Sequence, residues 1–348
     1  MAIESNQSEQ EKVALIRQAI RESGDHWRRK VPILANTNLI GLSIFIASIM
    51  GVCVSAYFYL NGTINALVCI LVVAILTSLL HELEHDLIHW QYFKNNKLIH
   101  HFMMLGVWIF RPGTINPWIR RHLHFLHHKT SGTEKDIEER GIGNGQAYTA
   151  LRWWIMFDPV FGNIAKILLG NESRKAFRVA RLLAAYFPFG IVAVSVWYLF
   201  LGYHLTSGVS HLLGASVAWS DTTLVLMSYI NQAVVILIAP HYLRSFCLIF
   251  ISSSMHYYGN VDSVLKQTQV LKHWYFWPLQ LFCFNFGSTH GIHHFVVGEP
   301  FYIRQLSAKD AHKAMKAHGV PFNDLGTFKR RNRFPKVQTG NHKSEVFV

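Results

Sequence analysis

The chain has 348 residues, of which 51% are hydrophobic and only 15% are Asp, Glu, Lys or Arg, against roughly 25% charged in an ordinary soluble domain. That balance disfavours a soluble globular enzyme and favours a single membrane bundle, which grows sideways rather than around one core. The formal charge of +13 would also suit a nucleic-acid binder, so its placement along the chain has to decide.

Residues 1–36 are polar, with Val13, Ile16 and Ile20 at helical spacing and Arg17 and Arg21 between them. This pattern predicts an amphipathic helix lying on a membrane surface. It lacks the basic start, short apolar run and small-residue cleavage site of a signal peptide. An apolar run from Leu39 to Leu60, a turn at Asn61-Gly62 and a second run from Ile64 to Leu80 follow. A helix needs roughly 17–25 apolar residues to cross a bilayer, so the two runs predict a transmembrane hairpin. Residues 81–181 are polar and rich in His and basic residues. They are interrupted by two apolar patches too short to span, Phe102–Phe110 and Leu151–Phe161. Trp153 and Trp154 suit the headgroup region.

A third span is expected over Leu182–Tyr203, then a loop over residues 204–222, then a fourth run from Thr223 to Ser254. The part of that run beyond Pro240-His241 reads as the emerging end of a broken helix, with a re-entrant segment as the alternative. The tail from Lys329, with Arg330, Arg331, Arg333 and Lys336, reads as a mobile basic extension. The organisation expected is an N-terminal interfacial segment (1–36), a transmembrane and catalytic domain (37–300) and a C-terminal segment with a basic tail (301–348).

Four spans place both termini and residues 81–181 on one side. All Lys and Arg fall on that side except perhaps Arg244, whereas the two opposite loops hold none. This positive-inside bias predicts a multi-pass protein, of the bacterial inner membrane by expectation, with its His-rich segments facing the cytoplasm. It also accounts for the charge through anionic lipid headgroups, without nucleic acid. Cys53, Cys69, Cys247 and Cys283 lie in apolar stretches with no CxxC pair, which reads as packing rather than disulfides or metal clusters.

The chemistry lies in three histidine clusters. The first, His81-Glu-Leu-Glu-His85-Asp-Leu-Ile-His89, directly follows the second apolar run and places three imidazoles on one helix face. The second is His124-Phe-Leu-His127-His128, and the third, His290-Gly-Ile-His293-His294, repeats the HxxHH spacing; His256 stands alone before Tyr257-Tyr258-Gly259. Neutral imidazole suits Fe, Zn, Cu and Ni. Nine or ten such ligands exceed the needs of one ion and match two, and two adjacent redox metals can bind and reduce O2. Asp86, Glu82 and Glu84 are candidates to orient ligand imidazoles. The scattered His26, His100, His101, His204, His211, His241, His273, His312, His318 and His342 read as solvated or otherwise satisfied residues.

These boxes and the downstream histidine resemble the membrane fatty acid desaturase and hydroxylase superfamily of di-iron enzymes, over roughly residues 40–300. The resemblance implies an all-α fold of four transmembrane helices under a cytosolic helical cap. It implies His124, His127, His128, His256, His290, His293 and His294 as iron ligands, with His85, then His89, then His81 from the first box. It further implies two Fe2+ ions, O2 as co-substrate and a fatty acid or fatty acyl substrate. No ferredoxin-like or cytochrome-like segment is present, so a separate ferredoxin- or cytochrome-type reductant is expected. In acyl-CoA desaturases an Asn precedes the lone His by four residues; here that position is Ser252.

Desaturation is the leading reaction, with oxidative decarboxylation of a free fatty acid to a terminal alkene or lipid hydroxylation as alternatives. The stretches Arg111–Trp118 and Ser131–Arg140 resemble a bacterial branch that includes such decarboxylases. Arg120 and Arg121 are candidates for a carboxylate or thioester headgroup, against a role as positive-inside anchors. From a different class, His81-Glu-Leu-Glu-His85 matches the HExxH of zinc proteases, a reading that would leave both HxxHH boxes idle.

Overall fold

The computed structural model of the chain describes residues 7–171 and 173–335. The described part is built from helices α1 (Glu9–Lys30), α2 (Thr37–Leu60), α3 (Ala66–Ile88), α4 (Lys97–Ile109), α5 (Pro117–Thr130), α6 (Ile137–Gly141), α7 (Ala150–Phe157) and α8 (Pro159–Leu169). It continues with α9 (Lys175–Tyr186), α10 (Phe189–Leu212), α11 (Asp221–Ala233), α12 (Ala239–Met255), α13 (Trp277–Leu281), α14 (Phe286–Phe295), α15 (Phe301–Ala317) and α16 (Gly326–Lys329). Pairing of extended backbone among these residues is confined to isolated bridges such as His256 with Thr268.

Among the described residues, four helices are long and apolar enough to cross a membrane: Thr37–Leu60, Ala66–Ile88, Phe189–Leu212 and Asp221–Met255. The third span begins later than the hydropathy suggested. Residues 182–186 complete α9, Pro188 cannot continue it, and α10 runs on to Leu212 through residues expected as loop. Those residues contain no charged group to mark an end, and the turn comes only at Gly214, whose φ of 72° is open to glycine.

The fourth span is not broken. Pro240 has no N–H for the carbonyl of Ile236, and the backbone answers by widening Val234–Ile238 into a π turn before α12 continues. The helix therefore runs 35 residues, Asp221–Met255, or about 52 Å at 1.5 Å per residue, well beyond a hydrocarbon core of roughly 30 Å. Its last turns, and the last turn of α3, thus enter the cap.

The cap is tied together by α1 and α15. Ser8 and Glu11 form a capping box that starts α1. Ile16 and Ile20 are fully buried in a cluster with Val270, Ile292, Phe295, Ala311 and Met315. The stripe expected to lie on a membrane surface is covered by protein instead, because α15 and α14 supply a drier, better-packed partner. α15 also inserts Phe301 into the cluster formed by Leu80, Leu83, Leu87, Tyr92 and Met104.

The start of the basic tail is also fixed. Asn332 is buried and accepts from Arg152, Arg330 pairs with Asp324, and the Arg333 guanidinium lies 4.8 Å from the Tyr258 ring centre. Those residues have specific partners in the cap, so the reading of a free extension fails for residues 329–335. Lys336 and His342 lie outside the described residues.

Candidate metal centre

The histidines reach one place from four directions. α3 carries His85 and ends on His89 as its C-cap. α5 carries His124, His127 and His128, the end of α12 delivers His256 as C-cap, and α14 carries His290, His293 and His294. Helical spacing then divides each HxxHH box. His124 and His127 have ring centres 5.5 Å apart, and His290 and His293 5.4 Å apart, so one box can serve two adjacent ions.

The imidazoles sort into two groups: His85, His89, His124 and His293, and His127, His256, His290 and His294, with all ligand nitrogens of a group within 4.8 Å of one another. His128 belongs to neither group but adjoins the first, its Nε2 lying 3.2 Å from that of His124 and 3.0 Å from that of His293. His81 is not brought in.

The nitrogens form a donor set that fits cations. His293 Nε2 stands 3.1 Å from His89 Nε2, and His256 Nε2 stands 3.2 Å from His294 Nε2. Both nitrogens of His85 are buried without a hydrogen-bond partner among the described residues, a cost that a metal ion removes. With metal–imidazole bonds of about 2.0–2.1 Å, nitrogens this close can share one ion. The second ring nitrogens are held from outside: His124 Nδ1 lies 2.7 Å from Glu138, His127 Nδ1 2.8 Å from Asp136, His294 Nδ1 2.9 Å from Gln267, and His256 Nδ1 2.9 Å from the Ser252 carbonyl. Such bonds fix the ring and leave Nε2 facing inward.

Electrostatics favour neutral rings. Burial, aided by neighbouring imidazoles, pushes His89 down to about 2 and His256 to about 3; His290, His293 and His294 also fall well below the usual histidine range. His127 is the exception. Burial lowers it too, but the Asp136 carboxylate, with Glu138 and Glu139 behind it, outweighs burial and raises it to about 9. Burial pushes Glu138 up, but its bond and charge contact with His124 and the charge of Arg120 hold it far below the normal carboxylate range.

A model of the fatty acid desaturase family matches residues 61–326, well over half the chain. The chain belongs to the fatty acid desaturase family. No curated protein and no solved structure matches it. The family is a di-iron one, and the eight imidazoles of this desaturase-family chain, in two adjoining sets of four, fit two such ions.

Membership also sets the HExxH match aside, as does the geometry. His81 and His85 share no group; Arg111 Nη1 approaches His81 Nδ1 at 2.9 Å, and Glu82 accepts from Arg304 at 3.2 Å. The carboxylates of the first box do not orient imidazoles as expected. Glu84 pairs with Arg111 and Arg120, Asp86 with Arg304 and Tyr92, and Asp86 Oδ1 is 3.8 Å from His85 Nδ1. Carboxylates buried this deeply need cations, and arginine meets that need better than neutral imidazole.

The orienting acids come instead from Asp136, Glu138 and Glu139, just after the second box. Their sequence signal was an acidic run within about a dozen residues of HxxHH on a short, capped helix. Ser252 does not project towards the metal side: its hydroxyl lies 3.3 Å from Glu139 and 3.4 Å from His256 Nδ1, the outward nitrogen. Arg120 and Arg121 both turn inward, Arg120 to Glu84 and Glu138, Arg121 to the Leu87 carbonyl, His100 and the Trp90 face.

Proposed function

We propose that this desaturase-family protein is an O2-dependent oxidoreductase that introduces a double bond into a fatty acyl chain. The observation that carries this reading is the pair of adjoining four-histidine groups at the ends of membrane-length helices. A hydrocarbon chain entering from the bilayer can meet the metal pair there without crossing water. Two iron ions bound by these groups would relay a donor's electrons to O2 and supply the hydrogen-abstracting power that converts –CH2–CH2–, O2, two electrons and two protons into –CH=CH– and two waters.

The protein's own task is placement. Asp136, Glu138, Gln267 and the Ser252 carbonyl lock the imidazoles, and the buried packing around them excludes bulk water. The electrons come from a separate ferredoxin- or cytochrome-type donor. The charge distribution supports a cytoplasmic cap, and a bacterial inner membrane is the setting we propose.

A second reading, oxidative decarboxylation of a free fatty acid to a terminal alkene, is favoured by a cluster of buried arginines beside the first histidine group. Feeding fatty acids with an electron-supply system and identifying products by mass spectrometry separates the possibilities. An internal alkene supports desaturation, a terminal alkene one carbon shorter supports decarboxylation, and an alcohol supports hydroxylation. His127→Ala and His293→Ala should each abolish product while the protein still inserts in the membrane. Full activity in both would overturn the reading.

A further inference from the structure

The interior beside the first histidine group holds one guanidinium that is left without an acidic partner. Arg111 and Arg244 are each 1% exposed, and guanidinium stays charged in proteins. Arg111, Arg120 and Arg244 are mutual electrostatic neighbours. Three carboxylates lie in this neighbourhood, and all are engaged. Glu84 binds Arg111 and Arg120, and Glu138 is shared by Arg120 and His124. Glu82, which also lies near, is turned to Arg304.

Arg244 is left over. Among the described residues its buried Nε and Nη1 have no hydrogen-bond partner, and no carboxylate forms an ion pair with it. An unpaired guanidinium in the interior of a membrane bundle is among the costliest arrangements a fold can hold. Such groups mark ligand sites when the missing partner arrives with the ligand.

The geometry points to Arg244, backed by Arg111, as the site that takes the carboxylate of a free fatty acid. This deepens the reading above and rests on it. The occupant must be an anion that reaches a dry position within a bundle of membrane-spanning helices. A fatty acid brings its carboxylate there on an apolar chain, and guanidinium pairs with carboxylate through two parallel N–H donors. The location also limits which carbons are presented. Arg111 touches Glu84, Glu84 touches Arg120, Arg120 touches Glu138, and Glu138 holds the ligand imidazole of His124. Along this route Glu84, Arg120 and Glu138 separate Arg111 from that imidazole, so the head group is held at a fixed remove from the metal pair. A thioester or ester head group, having no charge, gains little from this site.

The test is binding, measured by thermal unfolding of the purified protein in detergent with dodecanoate, methyl dodecanoate or sodium chloride added. Dodecanoate should raise the melting temperature of the wild type, with the ester and chloride doing far less. Arg244→Gln and Arg244→Met should weaken dodecanoate binding at least about tenfold, with Arg244→Lys in between. Because Arg244→Met removes an unpaired buried charge, its unliganded melting temperature should equal or exceed that of the wild type; a purely structural arginine would give a large fall. The proposal is overturned if dodecanoate stabilises the variants as it does the wild type. It is equally overturned if ester or chloride matches the acid, or if unliganded Arg244→Met melts far below the wild type. The measurement needs neither turnover nor iron, so its failure is separable: an iron-loaded wild type that oxidises no acyl substrate sinks the functional reading whatever Arg244 does.

Discussion

Asp136→Asn isolates the charge that holds one metal ligand. Asp136 Oδ2 lies 2.8 Å from His127 Nδ1, while Oδ1 accepts from the Glu139 backbone N–H at 3.2 Å and caps α6. Asn caps about as well as Asp, so the short helix survives and the negative charge goes. A charge-assisted hydrogen bond is worth about 1.5–3 kcal/mol, and loss of an outer partner of a metal ligand costs about 10–100-fold in affinity.

The pH dependence sharpens this prediction. In the metal-free protein His127 is pushed up to about 9, because Asp136 and its acidic neighbours outweigh burial. A metal must therefore displace a proton from His127 below that pH, and the affinity of its group should climb from pH 7 to pH 9. Competition against about two pH units is worth about 100-fold. Removing the Asp136 charge lowers the His127 pKa and relieves that competition. The variant should thus lose 10–100-fold at pH 9, nearly nothing at pH 7, and most of its pH dependence.

The same shift stabilises the metal-free wild-type fold. That contribution is fully present below about 6.5 and is lost as pH rises through about 9. Anaerobic iron titration against a competing chelator at both pH values, with iron per chain measured by mass spectrometry, is the assay. A variant that holds two irons as firmly as the wild type at pH 9 would refute the reasoning.

Other sites give simpler outcomes. Arg304 pairs with both Glu82 and Asp86 at 3.2 Å in the buried core. Arg304→Leu should destabilise by about 3–5 kcal/mol, seen as early loss of the monodisperse peak in thermal size-exclusion runs, because two buried carboxylates lose their cation. Gly162→Ala would set a Cβ 2.6 Å from the Ile155 Cα, a backbone atom that cannot step aside. A cost of about 1–3 kcal/mol and a lower melting temperature are expected. His204 Nε2 bonds Asn231 at 2.9 Å, on spans α10 and α11 and in neither histidine group; His204→Ala should leave product formation near the wild-type rate in the fatty-acid feeding assay.

Much of this was legible in the chain itself. Hydropathy runs are a one-dimensional signal, and four spans could be counted because bilayer thickness imposes a length on each. Helical periodicity alone put His124 and His127, and His290 and His293, on one helix face, although the two members of each pair belong to different histidine groups. Span ends were less legible. α10 outlasts its predicted end because uncharged residues carry no boundary mark, and the fourth helix passes Pro240 because a π turn can absorb the missing donor.

Sequence alone determined that ten histidines in three clusters and one isolated position were the candidates. Only the tertiary structure decided that eight of them form two groups, that His81 is turned to Arg111, and that α1 lies against α15 rather than on lipid. The reason is physical. Local spacing fixes which side chains share a helix face, but which carboxylate meets which cation depends on helices far apart in sequence arriving together. Burial then forces every charge to find a partner among whatever those helices bring, as Glu82, Glu84 and Asp86 found arginines in place of imidazoles.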